Sequence, residues 1–225
     1  MIKVCLLVGE GDSERYFFPS FLEGFGFSDL SQKTTPSTFL KKDDIYWFFP
    51  FPPGLDKCKS GKKKLKTVDT YQLAHHMLIN GLKPLTNGER IEIYLIVPFD
   101  TDGGDAGLRK KEIEEVISQS NVSVHKKFVN EIEVEIESWY FAGLTEKFPF
   151  FQDCNNAELV KLVNSKTDKY KHTKEDFKKF VDLDEVRGSS DLAKKAATHF
   201  DIEKACKHSR SFNDFYSNLV KEGLL

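Results

Sequence analysis

Cysteine is scarce: Cys5, Cys58, Cys154 and Cys206 are the only four in 225 residues. No two of them form a C-x-x-C pair, which argues against a zinc site of cysteines and against a disulfide framework as the source of stability. Long apolar runs are missing too. None approaches the roughly 20 residues of a membrane span, and the opening MIKVCLLVGEGD turns acidic too early for a secretory signal. The expectation is a cytoplasmic chain with no membrane segment. Neither sign of charge dominates, since 33 Lys and Arg face 35 Asp and Glu for a formal net charge of −2. Bulk charge therefore does not select nucleic acid as a partner, and the local placement of lysines matters more. No G-x-x-x-x-G-K-[ST] loop is present, so any ATPase activity belongs to a separate protein. Internal repeats and low-complexity tracts are absent as well.

What the chain does have is apolar residues at 40% of its length and 20 phenylalanines, enough to bury a sizeable core. Residues 2–8 (IKVCLLV) form a short continuous apolar run closed by Gly-Glu-Gly, the pattern of a central parallel strand buried on both faces. A helix follows, with Asp12 or Ser13 as its cap and Phe17, Phe18, Phe21, Leu22 and Phe25 at helical spacing, weakened by Gly24 and Gly26. Residues 28–43 carry turn-forming types and few core signals. Further strands are expected at 45–49 (IYWFF), 91–99 (IEIYLIVPF) and 122–129, with helices at 68–82 and 106–118. Strand and helix in alternation predict an α/β layered, mainly parallel sheet flanked by helices over residues 1–150. Residues 151–225 are rich in Lys, Asp and Glu, with helical patterns such as AELVKLV, EDFKKFV, DLAKKAA and FNDFYSNLV, and are expected to form a helical extension packed on the sheet.

Acidic residues stand where two of these strands end. In a parallel α/β sheet the carboxyl ends of the strands face one crevice, and ligands bind there. Glu10 lies just past the first strand, and Asp100 and Asp102 just past the strand at 91–99. Side chains two apart in an extended segment point the same way, so Asp100 and Asp102 can face one ion together. Three carboxylates at one spot repel strongly unless their protons stay on or a hard cation is bound, and oxygen-only ligands favour Mg²⁺ or Mn²⁺. Asp105 is placed to cap the following helix. Glu14, in the first turn of the first helix, can support the metal or simply complement the positive helix N-terminus. Glu131, Glu133, Glu135 and Glu137 alternate with Ile132, Val134 and Ile136, which in a strand puts all four acids on one face. Lys59, Lys62, Lys63 and Lys64 lie in a strongly basic loop, residues 57–66 (KCKSGKKKLK), suited to phosphate-backbone contact or to plain solvation. His75 and His76 are adjacent and, on a helix, point apart, so they do not form a metal pair. Trp47 and Trp139 are most simply core or interface anchors, though either side chain has a face that can stack a base.

VGEGDSE after the first strand, followed about ninety residues later by VPFDTDGGD, resembles the TOPRIM domain, shared by topoisomerases, primases and nucleases of the overcoming-lysogenisation-defect (OLD) type. The family's Glu and Asp-x-Asp map onto Glu10, Asp100 and Asp102. Within that superfamily, EGDSERYFFPSFL, GKKKL, IEIYLIVPFDTD, EIESWYFAG, YKHTKEDF and SRSFNDFYSNL are similar to small stand-alone TOPRIM-like proteins encoded beside an ABC-type ATPase in bacterial phage-defence (abortive-infection) loci. Gly9 before Glu10, and Gly-Gly-Asp after Asp102, depart from the family pattern around the second metal position. The resemblance implies a TOPRIM-like (Rossmann-like) fold and a Mg²⁺- or Mn²⁺-dependent nuclease acting on DNA or RNA, an antiviral effector regulated by a separate ABC-type or AAA-like ATPase. It also implies Glu137, in the Glu-Ser-Trp segment, as a further metal ligand and Lys171, in Tyr-Lys-His, as the cation that offsets charge on the cleaved phosphate. The alternative implied by the same resemblance is a catalytically inactive TOPRIM-like subunit that binds or regulates an ATPase complex. An acid-phosphatase-like phosphotransferase is a weaker fit, because there the aspartates usually follow the first strand, where this chain has Glu10.

Overall fold

In a computed structural model, the residues described are 1–9, 11–30, 37–50, 67–85, 88–101, 104–132, 135–143 and 189–225. The apolar run at the N-terminus forms β1 (Ile2–Leu7), a central strand with a parallel neighbour on each side, and all its side chains but Lys3 are buried in the layers above and below the sheet. One neighbour is β4 (Ile45–Phe49) and the other β5 (Ile91–Asp100). β6 (Lys126–Ile132) continues the parallel set beyond β5, while β3 (Thr38–Lys42) and β2 (Ser28–Asp29) add an antiparallel edge beyond β4. The six-stranded order is β2-β3-β4-β1-β5-β6.

Helices cover both faces, and strand alternation decides which residues meet which helix. Cys5 and Leu7 of β1, Trp47 and Phe49 of β4 and Tyr94 and Ile96 of β5 pack with α1 (Asp12–Glu23) and α4 (Glu137–Gly143). The last three helices share this face: α5 (Ser189–Thr198), α6 (Ile202–His208) and α7 (Arg210–Lys221). Val4, Leu6, Phe48, Leu95 and Val97 pack on the opposite face with α2 (Val68–Leu82) and α3 (Ala106–Gln119). The first face is dominated by aromatic rings. Phe17 lies 5.0 Å from Tyr140 between ring centroids and 5.3 Å from Phe200, and Trp139 lies 5.1 Å from Phe215. Each fully buried ring contributes roughly 1.5–3 kcal/mol by leaving water, so this layer holds the C-terminal helices to the sheet.

The α/β architecture and the mostly parallel sheet agree with the sequence, and several local expectations need correction. Within residues 28–43, Ser28–Asp29 and Thr38–Lys42 form two strands that the turn-forming composition does not mark. They are short and charged, as edge strands tend to be, and β3 hides only Leu40 completely. A tight connection at Asp43, whose φ is +51°, returns the chain into β4. The strand expected at 122–129 starts at Lys126. Val122 and Val124 touch the core from the connection before it, so their apolar character marks contact and not pairing. The acidic alternation at 131–137 is not a strand: β6 stops at Ile132, Glu135 sits in a turn whose carbonyl accepts from Ser138 N, and Glu137 opens α4. Glu131 on β6 and Glu137 on α4 therefore do not share one strand face. Glu131 is exposed, and Glu133 lies outside the described residues. The cap of α1 is Gly11, not Asp12 or Ser13. AELVKLV and EDFKKFV lie outside the described residues, whereas DLAKKAA and FNDFYSNLV are helical.

Candidate metal centre

The winding of the sheet sets where a crevice is expected. The chain passes from β1 to β4 on one side of it, then crosses back over β1 to β5 and on to β6. The direction reverses between β1 and β5, and at such a reversal the loops leave the two carboxyl ends in opposite directions and open a cleft.

Pro98 stands where β1 and β5 part. Val8 N donates to Ile96 O, so the even-numbered residues of β5 turn their backbone groups toward β1. Thr101 N donates to Ile132 O, so the odd-numbered ones face β6. Proline has no N–H, and at position 98 the missing donor is on the β1 side. The β1–β5 register ends at Leu7 opposite Ile96, while the β5–β6 register runs on to Asp100 opposite Ile132. A proline inside a buried strand is normally a fault. Here it falls where two strands part.

Asp100 is the last residue of β5 and only 7% exposed. By alternation it shares the face of Tyr94 and Ile96, the side covered by α1 and α4. Two further buried carboxylates reach this face from helix starts. Glu14, in the first turn of α1, accepts a 3.0 Å hydrogen bond at Oε2 from Gly11 N. Glu137 occupies the first turn of α4. Gly9 permits the close approach of α1, because a Cβ there would stand 3.0 Å from Glu14 Cβ.

Tyr140, one turn after Glu137, reports the electrostatics of this corner. Its hydroxyl donates to Ser13 O at 3.3 Å and ties α4 to the start of α1. Burial pushes its phenol well above the usual tyrosine range, and the negative charges of Glu137, Glu14 and Asp100 push it in the same direction. All three acids therefore act on one buried hydroxyl, which stays protonated as a donor.

The donors assembled here are oxygens, a set suited to a hard divalent cation. Among the described residues no group of three His, Cys, Asp or Glu side chains closes around one ion. Glu10 and Asp102, both sequence candidates, lie outside those residues, as do Lys171 and the loop lysines Lys59, Lys62, Lys63 and Lys64. The structure thus brings Asp100, Glu14 and Glu137 to one corner. Glu137 arrives there on a helix and not on the acidic strand its alternation suggested.

Other singled-out residues have structural roles. Asp105 caps α3, its side chain accepting from Leu108 N at 3.0 Å. Trp47 and Trp139 are fully buried, their indoles donating to Leu224 O and Ser211 Oγ, and neither has a face available to a base. His75 lies 3.3 Å from Ser123 O through Nε2, while His76 meets Asn80 on the same helix. Cys5 is a free thiol within the core. Sequence reasoning overlooked Tyr140 and Asn130, a buried amide on β6, because neither residue type marks a site until the sheet faces are known.

No protein family, no curated protein and no solved structure matches the chain. Among the described residues no helix is long and apolar enough to cross a membrane.

Proposed function

We propose that this protein is a TOPRIM-like, Mg²⁺- or Mn²⁺-dependent nuclease that cleaves phosphodiester bonds of DNA or RNA, an antiviral effector regulated by a separate ATPase. The observation that carries the reading is Asp100, buried at the carboxyl end of β5 on the face where the charges of Glu14 and Glu137 converge. The resemblance to the family requires the Glu-bearing and Asp-x-Asp-bearing strand ends to be neighbours. β1 and β5 pair in parallel over six residue pairs and part beside Asp100, which supports it.

Glu10, Asp100 and Asp102 would hold the cation, with Glu137 and Glu14 adding charge from the helix starts. When bound, a divalent cation polarises phosphate oxygens and lowers the pKa of an attacking water. The chain's own residues supply the rest. Asp100 and its acidic neighbours set the negative field that selects a cation, and the bulk of Phe17 and Tyr140 excludes water behind them. Lys171 offsets charge on the cleaved phosphate, and Lys59, Lys62, Lys63 and Lys64 hold the nucleic-acid backbone as point charges.

The test is cleavage of single- and double-stranded DNA and RNA by the purified chain in Mg²⁺ or Mn²⁺, alone and with its ATPase. Asp100→Ala is expected to lower the rate by at least about a hundredfold, a loss of some 2.7 kcal/mol of transition-state stabilisation, while leaving the circular dichroism unchanged. Binding should weaken steeply as salt rises if the basic loop contacts phosphates. A wild type that binds the ATPase yet cleaves nothing under either metal leaves the non-catalytic subunit as the surviving reading.

A further inference from the structure

We propose that Asn130 is part of the cation site, its side-chain oxygen accepting a hydrogen bond from a water carried by the divalent ion at Asp100. This rests on the cation reading above and extends it to a residue that belongs to neither acidic motif.

Two observations point there. Asn130 is 9% exposed, and its Oδ1 is buried with no hydrogen-bond partner among the described residues. Such a group is rare in a folded protein, where buried acceptors find a donor in protein, water or ligand. The second is direction. Phe128 and Ile132 pack into the core layer of α1 and α4, and Val129 into the opposite one, so Asn130 faces the same side as Phe128 and Ile132. Ile132 is paired with Asp100, which makes Asn130 the next residue down that face, one strand over.

Its immediate neighbours offer nothing polar. Phe128 and Ile132 stand before and after it on β6, and Pro98 lies opposite on β5. Among the described residues, the polar groups on this side are the carboxylates of Asp100, Glu14 and Glu137, the Tyr140 hydroxyl, which already donates to Ser13 O, and the buried Ser138 hydroxyl. An ionised carboxylate only accepts hydrogen bonds, and so does the amide oxygen. Acceptors facing acceptors are reconciled by a cation or by water polarised by one. Mg²⁺ dehydrates reluctantly and keeps several of its waters. Neighbours in the outer shell then orient those waters.

The rival account is an amide that only fills space, with a structural water on its oxygen, or one turned over so that its nitrogen donates to a carboxylate, since oxygen and nitrogen are assigned from surroundings. Charge distinguishes them. If the oxygen faces a cation's water, Asn130→Asp places another negative charge beside the ion and tightens binding. If the nitrogen donates to a carboxylate, the same change sets two acids together and gains nothing.

The experiment is Mn²⁺ titration of the full chain by calorimetry, with free Mn²⁺ counted independently by electron paramagnetic resonance, and melting followed with and without Mn²⁺. For Asn130→Leu, which keeps the bulk and removes the amide, the expected result is Mn²⁺ affinity lowered at least about tenfold. Its melting temperature without metal should match or exceed that of the wild type. Asn130→Asp is expected to melt lower without metal, to bind Mn²⁺ more tightly and to gain a larger metal-induced rise in melting temperature. Asn130→Asp also carries the test if the leucine variant fails to fold. If the wild type binds Mn²⁺, Asp100→Asn weakens it and both Asn130 variants bind as the wild type does, the role of Asn130 is overturned and the cation reading stands. If the wild type binds no Mn²⁺, or binds it as well with Asp100→Asn, both fall together.

Discussion

Glu14 does two things that a single acidic residue seldom combines. Its Oε2 holds Gly11 N and so begins α1, and its buried charge faces the corner occupied by Asp100 and Glu137. The two duties separate by chemistry, because glutamine also closes the N-terminal turn of a helix but carries no charge. Glu14→Gln is expected to leave the melting temperature in metal-free buffer unchanged or raised, and to lower Mn²⁺ affinity severalfold. Glu14→Ala loses the hydrogen bond as well and should cost about 1 kcal/mol in chemical denaturation. Calorimetry showing wild-type Mn²⁺ affinity for Glu14→Gln would confine this residue to capping. Much of the residue-scale picture was legible in the sequence. Asp100 announces itself because a charge directly after a buried apolar strand has to be explained. Glu14 was visible as a choice between two roles, and the structure joins them. Asn130 was invisible: an asparagine beside lysines and glutamates reads as solvated until the register of β6 shows which face it occupies.

At the scale of elements, α4 is a helix of seven residues, Glu137–Gly143, too short to be stable alone. What holds it is the tail of the chain. Trp139 donates from Nε1 to Ser211 Oγ at 2.9 Å, and Ser209, which caps α7 through Phe212 N, has its Oγ 3.2 Å from that of Ser211. The position of Glu137 therefore depends on a hydroxyl 74 positions later. Ser211→Ala leaves a buried indole N–H without its acceptor and should cost about 1–3 kcal/mol, whereas Trp139→Phe in that background removes the orphaned donor and should return part of it. Urea unfolding of the two single variants and the double variant measures the coupling, and additive losses would mean the hydrogen bond does not fasten α4. Elements were read well from sequence where burial is uniform: β1, β4, α2 and β5 came within a residue or two of their limits. They were misread where a pattern had two physical sources. Apolar and acidic alternation at 131–137 looks like a strand, but the chain turns at Glu135 and the same residues serve a turn and a helix start. β2 and β3 escaped notice because edge strands need few apolar residues.

For the molecule as a whole, the decisive fact is that α5, α6 and α7 complete the same core layer as α1 and α4. The tail also fastens the sheet from its far edge. Trp47 of β4 donates to Leu224 O at 3.0 Å, Lys3 of β1 donates to Glu222 O, and Lys126 of β6 pairs with the Glu222 carboxylate at 2.6 Å. Both tryptophans thus take their hydrogen-bond acceptor from residues 210–225. Removing those residues uncovers Phe18 and Trp139, which pack against Phe215, and strips both indoles at once. In the full chain, tryptophan emission and far-ultraviolet circular dichroism should change at one urea midpoint, since a shared core unfolds as one unit. Mn²⁺ should move both signals together, because a ligand bound only by the native state stabilises everything that unfolds with its site. A chain ending at Ser209 should emit at longer wavelength before any urea is added, bind a hydrophobic dye and lose its cooperative transition. A truncated chain that keeps the blue emission and the wild-type midpoint would show that the sheet and its acidic corner stand without the tail, and the dependence of Glu137 on α7 would go with it.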